Sequence, residues 1–191
     1  MRRLILMAAT ALAAAAALPA VAADFSKDRI VVIVKATTSQ FWATVFAGAD
    51  AAAGALGVPI SKLGASAETD VAGEVSIMEN AIQSKPAGIV VAATNAQALA
   101  QPIENATKAG IPVIVIDSDA NTKQYVTFLA TDNVAGGAKA ADELASCVQA
   151  RTGKQEGDVA YMTALAGAQS LNDRDKGFVD ELKKYPGLKI V

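Results

Sequence analysis

The stretch RIVVIVK at residues 29–35 decides the fold that the sequence predicts. Its five central positions are all apolar and β-branched, which favours an extended strand. A strand with one face in water alternates apolar and polar residues, whereas a strand covered on both faces is apolar throughout. Residues 29–35 therefore predict a buried strand of a parallel sheet that lies between two layers of helices.

Strands of the same kind recur along the chain and alternate with alanine-rich segments of helical character. We predict strands at residues 29–35, 59–64, 88–92, 112–117, 125–130, 159–162 and 188–191, and helices at residues 41–56, from the polar turn 66–70 to residue 84, and at 96–109, 134–150 and 173–185. This alternation predicts an α/β fold in which helices cover both faces of a doubly wound parallel sheet.

The alternation restarts after a charged loop at residues 151–157, so the sequence predicts two sheets. We expect a first lobe at residues 24–131 and the beginning of a second lobe at residues 132–191. Because the last strand ends the chain without a further crossover, we expect the second lobe to be incomplete. The alternative is that this strand closes one compact domain as an added edge strand.

Residues 1–23 have the features of a secretory signal peptide. Arg2 and Arg3 precede an apolar run at residues 4–18, and small residues follow Pro19. The apolar run is shorter than the roughly 20 residues that a membrane-spanning helix needs. We predict cleavage before Asp24, or one residue earlier, and export to the periplasm, since no cysteine follows the small residues as a lipid attachment site.

Composition excludes several classes of function. The chain has 17 basic and 19 acidic residues, a balance that argues against binding to nucleic acid or to anionic membrane surfaces. It has no histidine, which removes the commonest general base and the commonest metal ligand. With Cys147 as its single cysteine, the chain has no internal disulfide.

Polar and aromatic side chains follow three of the predicted strands, where ligands bind to open parallel sheets. These candidate ligand-binding residues are Lys35, Ser39, Phe41, Trp42, Asn95, Asp117 and Ser118. Carboxylate and amide groups pair with hydroxyl groups, while an aromatic face covers the apolar surface of a sugar ring. The set therefore fits a neutral polyhydroxylated ligand. The alternatives are that the aromatics only pack the start of the helix, that Asp117 caps a turn, and that Lys35 reaches solvent.

Other kinds of site lack support in the sequence. No glycine-rich phosphate loop follows a strand, and no cluster of metal-ligating residues has the required spacing, so we expect no cofactor and no metal. A hydrolase would use Ser39 or Ser118 as its nucleophile, and the sequence offers neither residue a histidine as its base. We therefore expect a protein that is not an enzyme.

A series of short motifs resembles the periplasmic binding proteins of the ribose and galactose type, which feed ATP-driven sugar importers. The motifs lie at residues 40–42, 48–49, 88–91, 110–113, 116–117, 131–137, 174 and 177–178. The resemblance implies two lobes that close on a ligand and deliver it to a membrane permease. It also implies that Phe41 and Trp42 stack on the sugar ring and that Asp117 accepts from its hydroxyls. Asp132 would lie at the first crossing between lobes, as a hinge, and Asn172 and Arg174 would contact the ligand from the second lobe.

Departures from that family leave the ligand open. Ser118 and Asn172 stand where ribose binders have arginines, so strict ribose specificity is not expected. Lys35 and residues 117–119 instead resemble the branch that binds a furanone-type signal related to autoinducer-2. We expect a monomer that binds a sugar, a polyol or such a furanone. A role as a chemotaxis sensor is compatible with this reading, whereas a regulator of the lactose-repressor kind would need a DNA-binding helix pair where the signal peptide lies.

Overall fold

The computed structural model describes residues 28–191, so the predicted signal peptide and its cleavage before Asp24 lie outside the described residues. The elements are β1 (Ile30–Val34), α1 (Gln40–Leu56), β2 (Ile60–Gly64), α2 (Val71–Gln83), β3 (Gly88–Val91), α3 (Ala100–Lys108), β4 (Val113–Ile116), β5 (Thr127–Leu129), α4 (Asn133–Thr152), β6 (Gly157–Val159), α5 (Gln169–Leu182) and β7 (Leu188–Ile190). Within residues 28–191, no helix combines the length and the apolar character needed to cross a bilayer.

Five parallel strands form the first sheet in the order β2-β1-β3-β4-β5. The side chains of β1 point alternately to its two faces. Ile33 packs with Met78 of α2 and Ile103 of α3, whereas Val34 packs on the opposite face with Trp42 of α1. The α/β fold with a strand buried on both faces, predicted from residues 29–35, is confirmed.

The order of the strands creates a crevice at one edge of this sheet. The chain runs from β1 outward to β2, returns past β1 to β3, and continues to β4 and β5. The order therefore reverses between β1 and β3, and the loops at their carboxyl ends diverge. Lys35 directly follows β1 and Asp117 directly follows β4, so both residues lie at this edge.

The second lobe contains a two-stranded parallel sheet, β6-β7, covered by α4 and α5. Its core includes Ala141 and Ala145 of α4 together with Leu182 of α5. The two helix backbones touch at Gly137 and Gly177, where a Cβ on either glycine would overlap a backbone carbonyl oxygen of the opposite helix. Glycine at these two positions therefore sets the spacing of the two helices.

Two predicted boundaries are wrong because hydrogen bonding with other residues sets where the elements begin and end. Helix α3 begins at Ala100 rather than at residue 96, since the Asn95 side chain accepts hydrogen bonds from the backbone N–H groups of Gln97 and Ala98 and holds residues 96–99 in a turn. Strand β6 covers Gly157–Val159 rather than residues 159–162, because its register on β7 pairs these three residues with Leu188–Ile190.

The start of α5 also differs from the prediction. The helix begins at Gln169, before the predicted residue 173. The Gln169 side chain donates to Asp173 in the next turn and accepts a hydrogen bond from the backbone N–H of Asp119 in the first lobe. The first turn of α5 is therefore stabilised partly by contact with the other lobe, which local sequence does not indicate.

Candidate functional site

A polar cavity of about 230 Å³ lies between the lobes at the carboxyl edge of the first sheet. Its lining consists of Lys35, Phe41, Trp42, Glu68 and Asp117 from the first lobe and Ser170, Leu171 and Arg174 from the second. The first-lobe residues follow β1, β2 and β4 or begin α1. The cavity thus occupies the crevice that the reversal of strand order creates.

A buried ion pair forms one wall of this cavity. The Lys35 ammonium lies 2.7 Å from Oδ2 of Asp117 and donates to the Ser118 hydroxyl at 2.6 Å. It also lies 5.8 Å from the centre of the Trp42 ring, within the range of a cation–π contact. Lys35 is only 3% exposed, so its charge is compensated inside the protein rather than by solvent.

The backbone of Asp117 adopts an unusual conformation. Its φ angle of 63° lies in the left-handed region, which aspartate tolerates better than most residues. The Ser118 N–H donates to the Ile116 carbonyl oxygen at 2.7 Å across this sharp turn. The side chain of Asp117 is 28% exposed, so a carboxylate that is fixed by the turn and by Lys35 still faces the cavity.

The two adjacent aromatic residues contribute differently. Phe41 is 58% exposed and Trp42 is 2% exposed, and their rings meet edge to face with centres 4.8 Å apart. The Trp42 Nε1–H donates to Oε1 of Glu68 at 2.7 Å, which fixes the orientation of the indole. Both rings line the cavity. Phe41 is therefore the residue with the larger aromatic surface available to a ligand.

Ser118 lies next to the cavity but not in its lining. Its hydroxyl is fully buried and is bonded to Lys35, to Asp117 and to the hydroxyl of Ser170 in α5. The two hydroxyl oxygens of Ser118 and Ser170 lie 2.6 Å apart, and their hydrogen bond joins the two lobes. In this conformation Ser118 holds other side chains in place, and direct contact between Ser118 and a ligand remains a prediction.

Four other predicted residues also lie outside the lining of the cavity. Ser39 precedes α1 without a capping hydrogen bond from its side chain, and Asn172 is exposed on α5. Asn95 uses its side chain in the turn before α3. Asp132 caps α4 by accepting from the backbone N–H of Ala135 at 2.9 Å, in the connection between the two sheets. Their predicted roles in ligand binding and hinge motion remain predictions.

Arg174 lines the cavity from the second lobe. Its Nη2 group donates to the side-chain oxygen of Asn133, the buried first residue of α4. Asn133 also donates to the backbone carbonyl oxygen of Thr131. The guanidinium of Arg174 is thereby tied to the connection between the lobes.

Three residues of the lining were not predicted: Glu68, Ser170 and Leu171. Glu68 follows β2, so the rule that selects residues after strands β1, β3 and β4 also selects Glu68 when it is applied to β2. No comparable signal identifies Ser170 and Leu171, which reach the cavity because α5 begins earlier than its sequence predicts.

One further backbone hydrogen bond connects the two lobes. The backbone N–H of Ala96 donates to the carbonyl oxygen of Gly167 at 3.0 Å. Gly167 has a φ angle of 91°, and a Cβ at this position would overlap the Asn95 side chain. Glycine is therefore required for this close approach of the second lobe.

A buried carboxyl group lies behind the cavity. Glu74 of α2 is fully buried, and its Oε2 accepts from the backbone N–H of Thr94 at 2.9 Å, just after β3. Burial raises the pKa of Glu74 to about 7, although the hydrogen bond from the Thr94 backbone N–H and the positive charge of Lys35 act in the opposite direction. Oε1 of Glu74 and the Thr94 hydroxyl are buried without a hydrogen-bond partner within residues 28–191.

A second, larger cavity of about 500 Å³ lies against the sheet beside α1. Side chains such as Ile30, Val32, Leu56 and Val90 make its lining almost entirely apolar. It lacks the convergent polar groups that orient a small polar ligand. Within residues 28–191, no group of three or more histidine, cysteine, aspartate or glutamate side chains is arranged to hold a metal ion.

Comparison with known sequences identifies the family. Residues 30–191 match the family profile described as a periplasmic binding protein domain. This chain belongs to the periplasmic binding protein family. The resemblance inferred from the sequence motifs is thereby confirmed. The D-allose-binding periplasmic protein of Escherichia coli strain K12 is 28% identical to this periplasmic binding protein over 174 residues, which cover 87% of this chain and 55% of that protein.

Solved structures share the fold of this periplasmic binding protein. A carbohydrate transporter solute binding protein from Agrobacterium radiobacter, in complex with D-arabinose, has a TM-score of 0.84 and 52% sequence identity. The match covers 86% of this chain and 56% of that protein's chain. An ABC transporter solute binding protein from Agrobacterium vitis, with bound D-fucose, has a TM-score of 0.79 and 40% sequence identity. The match covers 85% of this chain and 56% of that protein's chain. The chain therefore spans about half the length of the relatives it matches.

Proposed function

We propose that this periplasmic binding protein captures a neutral sugar or sugar-like solute between its lobes and delivers it to the membrane permease of an ABC importer. The observation that carries the proposal is the cavity at the reversal of strand order, which both lobes line. It combines the Asp117 carboxylate, which Lys35 fixes, with the exposed ring of Phe41. These are the groups that hydroxyls and the apolar face of a sugar ring require.

The arrangement favours binding over catalysis. Lys35 is paired with the Asp117 carboxylate, so its ammonium serves as a fixed cation and not as a base. The Ser118 hydroxyl accepts from this ammonium, and the sequence has no histidine that could act as its general base. We therefore propose a binding protein without enzymatic activity, in line with the relatives that are named as binding proteins.

We propose that the predicted residues act in two groups. Phe41, Trp42, Asp117 and Arg174 contact the ligand, and Lys35 fixes Asp117. We assign four further predicted residues to ligand contact when the protein closes on its ligand: Ser39, Asn95, Ser118 and Asn172. We assign Asp132 to the hinge motion of this closure. Relatives bind D-allose, D-arabinose and D-fucose, so a pentose or hexose ring is the proposed ligand.

Isothermal titration calorimetry with a panel of ligands tests this proposal. The panel contains D-arabinose, D-ribose, D-allose, D-fucose, xylitol, a furanone related to autoinducer-2, and D-gluconate as an anionic control. We expect saturable binding of one neutral class and an affinity at least about tenfold lower for Asp117→Asn, which loses a charged hydrogen bond. Preferred binding of gluconate, or no binding by folded protein, would contradict the proposal.

The cellular part of the proposal has its own test. We propose that residues 1–23 direct export and are removed, that the lobes comprise residues 24–131 and 132–191, and that the protein acts as a periplasmic monomer. Mass spectrometry of the periplasmic fraction is expected to find an N-terminus at Asp24 or one residue earlier. Intact Met1 in the cytoplasmic fraction alone would contradict export.

A further inference from the structure

We infer that Glu68 is a ligand-binding residue, which accepts a hydrogen bond from a sugar hydroxyl and selects ligands that carry this hydroxyl. The inference rests on the proposed function and adds a second carboxylate to the site. Glu68 lies in the turn between β2 and α2, and it lines the cavity together with Trp42 and Asp117. It therefore occupies the end of a strand next to β1, where ligands bind to such sheets.

The geometry leaves part of the Glu68 carboxylate available. Oε1 accepts from the Trp42 Nε1–H at 2.7 Å, and this bond uses the only donor of the indole. A carboxylate has about four acceptor positions on its two oxygens. Within residues 28–191, Oε2 of Glu68 accepts no hydrogen bond from another residue, although Glu68 itself is half-buried. Acceptor capacity that faces a cavity is satisfied by water or by a ligand.

Glu68 and Asp117 differ in how their charges are paired. Asp117 is paired with Lys35, and Arg174 donates to the neutral side chain of Asn133. Glu68 forms no ion pair with any residue in the range 28–191. Within residues 28–191 its carboxylate accepts a hydrogen bond only from the indole N–H, which leaves it a strong acceptor for hydroxyl donors.

This acceptor gives the site a means of selection. A site with a buried polar group rejects an analogue that lacks the matching hydroxyl, because the polar group then loses water without gaining a partner. Glu68 is held rigidly by Trp42, so it cannot turn away from such an analogue without breaking its bond to the indole. We therefore expect discrimination against the one deoxy sugar that lacks this hydroxyl.

The experiment compares Glu68→Gln and Glu68→Ala with the control Glu79→Gln, which changes an exposed acidic residue of α2. A glutamine at residue 68 still accepts from the Trp42 N–H but presents a neutral amide to the ligand, whereas an alanine loses both contacts. We expect the Glu68→Gln protein to keep the wild-type Trp42 emission maximum without ligand. Calorimetry with D-arabinose, D-ribose, D-allose and D-fucose identifies the sugar that wild type binds. The affinity of Glu68→Gln for this sugar is expected to be roughly 10- to 100-fold lower.

Each outcome separates the roles of Glu68. If Glu68→Gln binds sugar as wild type does and only Glu68→Ala is weakened, Glu68 merely orients the indole and the inference is overturned. The monodeoxy analogues of the bound sugar provide the second arm, and one of them is expected to bind wild type and Glu68→Gln equally. A loss that is uniform across all analogues would also overturn the inference. Absence of sugar binding by the wild type would instead reject the proposed function itself.

Discussion

The hydroxyl groups of Ser118 and Ser170 lie 2.6 Å apart and connect the two lobes at the edge of the polar cavity. Ser118 also accepts from the buried ammonium of Lys35. The contact between the lobes and the ion pair of the first lobe therefore belong to one hydrogen-bond network. The contact between the lobes and the position of Asp117 are linked through this network, since Asp117 pairs with the same ammonium.

Removal of the Ser118 hydroxyl is expected to lower the free energy of unfolding more than removal of the Ser170 hydroxyl. Ser118→Ala deprives Lys35 of an acceptor and is expected to lower the free energy of unfolding by about 2 kcal/mol, while Ser170→Ala costs about 1 kcal/mol. The double variant should show a coupling of about 1 kcal/mol, measured by urea unfolding. Ser146→Ala on the exposed face of α4 is the control. Strictly additive losses would show that the two hydroxyls do not interact.

The Lys35–Asp117 pair gives a prediction that separates stability from binding. Asp117→Asn leaves the buried ammonium of Lys35 without its charged partner and is expected to cost about 3 kcal/mol of unfolding free energy. Lys35→Met leaves the partly exposed Asp117 carboxylate without its partner and is expected to cost less, about 1 to 2 kcal/mol. The double variant removes both charges and should be more stable than either single variant. Sugar affinity is expected to remain at least about tenfold reduced in all three proteins, by calorimetry. A double variant less stable than both singles would contradict the pairing.

The first sheet could be predicted from sequence because its signal is local. A β-branched run such as residues 29–35 has few alternatives to a buried strand, and the helices between such runs set the parallel order. The second lobe was predicted less well. Residues 159–162 form an apolar run that predicts a strand, but pairing with β7 places the strand at Gly157–Val159. Register between strands distant in sequence is not encoded in either strand alone.

The candidate site shows the same division. Lys35, Phe41, Trp42 and Asp117 line or support the cavity because strand ends meet at one edge of a parallel sheet. The buried position of Ser118 could not be predicted, since it depends on the approach of Ser170 from the other lobe. Sequence identifies which residues follow a strand, whereas contacts between lobes decide which of them face the cavity.

Glu74 predicts a specific dependence of stability on pH. Its pKa is raised from an ordinary 4.5 to about 7, so between these values the folded protein holds a proton that the unfolded chain has released. The free energy of unfolding therefore falls as pH rises through this window, by about 3 kcal/mol in total. The charged groups facing Glu74 are Lys35, which opposes the shift, and Glu68, which adds to it.

Glu74→Gln tests this dependence by urea unfolding at pH 4.5 and pH 8. The glutamine side-chain oxygen can still accept from the Thr94 N–H, and its amide can donate to the Thr94 hydroxyl, which has no partner among residues 28–191. The variant should gain stability over wild type as pH rises, because it has no proton to release at this position. A difference between the two proteins that is constant from pH 4.5 to pH 8 would show that Glu74 has an ordinary pKa.

The contact between α4 and α5 predicts opposite effects at two adjacent glycines. Gly137→Ala places a Cβ against the Arg174 carbonyl oxygen, which forces the helices apart and is expected to cost about 3 kcal/mol. Gly136→Ala meets no atom within 4 Å and should stabilise the helix by about 0.5 to 1 kcal/mol. Thermal unfolding followed by circular dichroism measures both. Equal effects of the two substitutions would contradict the close helix contact.

Titration of Trp42 fluorescence tests the central claim, binding of a neutral sugar in the cavity between the lobes, most directly. Trp42 is the only tryptophan of the chain and lines this cavity, so its emission reports on the site alone. We predict a saturable change in emission with at least one of D-arabinose, D-ribose, D-allose and D-fucose, shifted to higher concentration in Asp117→Asn. No change with any of these sugars, in protein that circular dichroism shows to be folded, would contradict the claim.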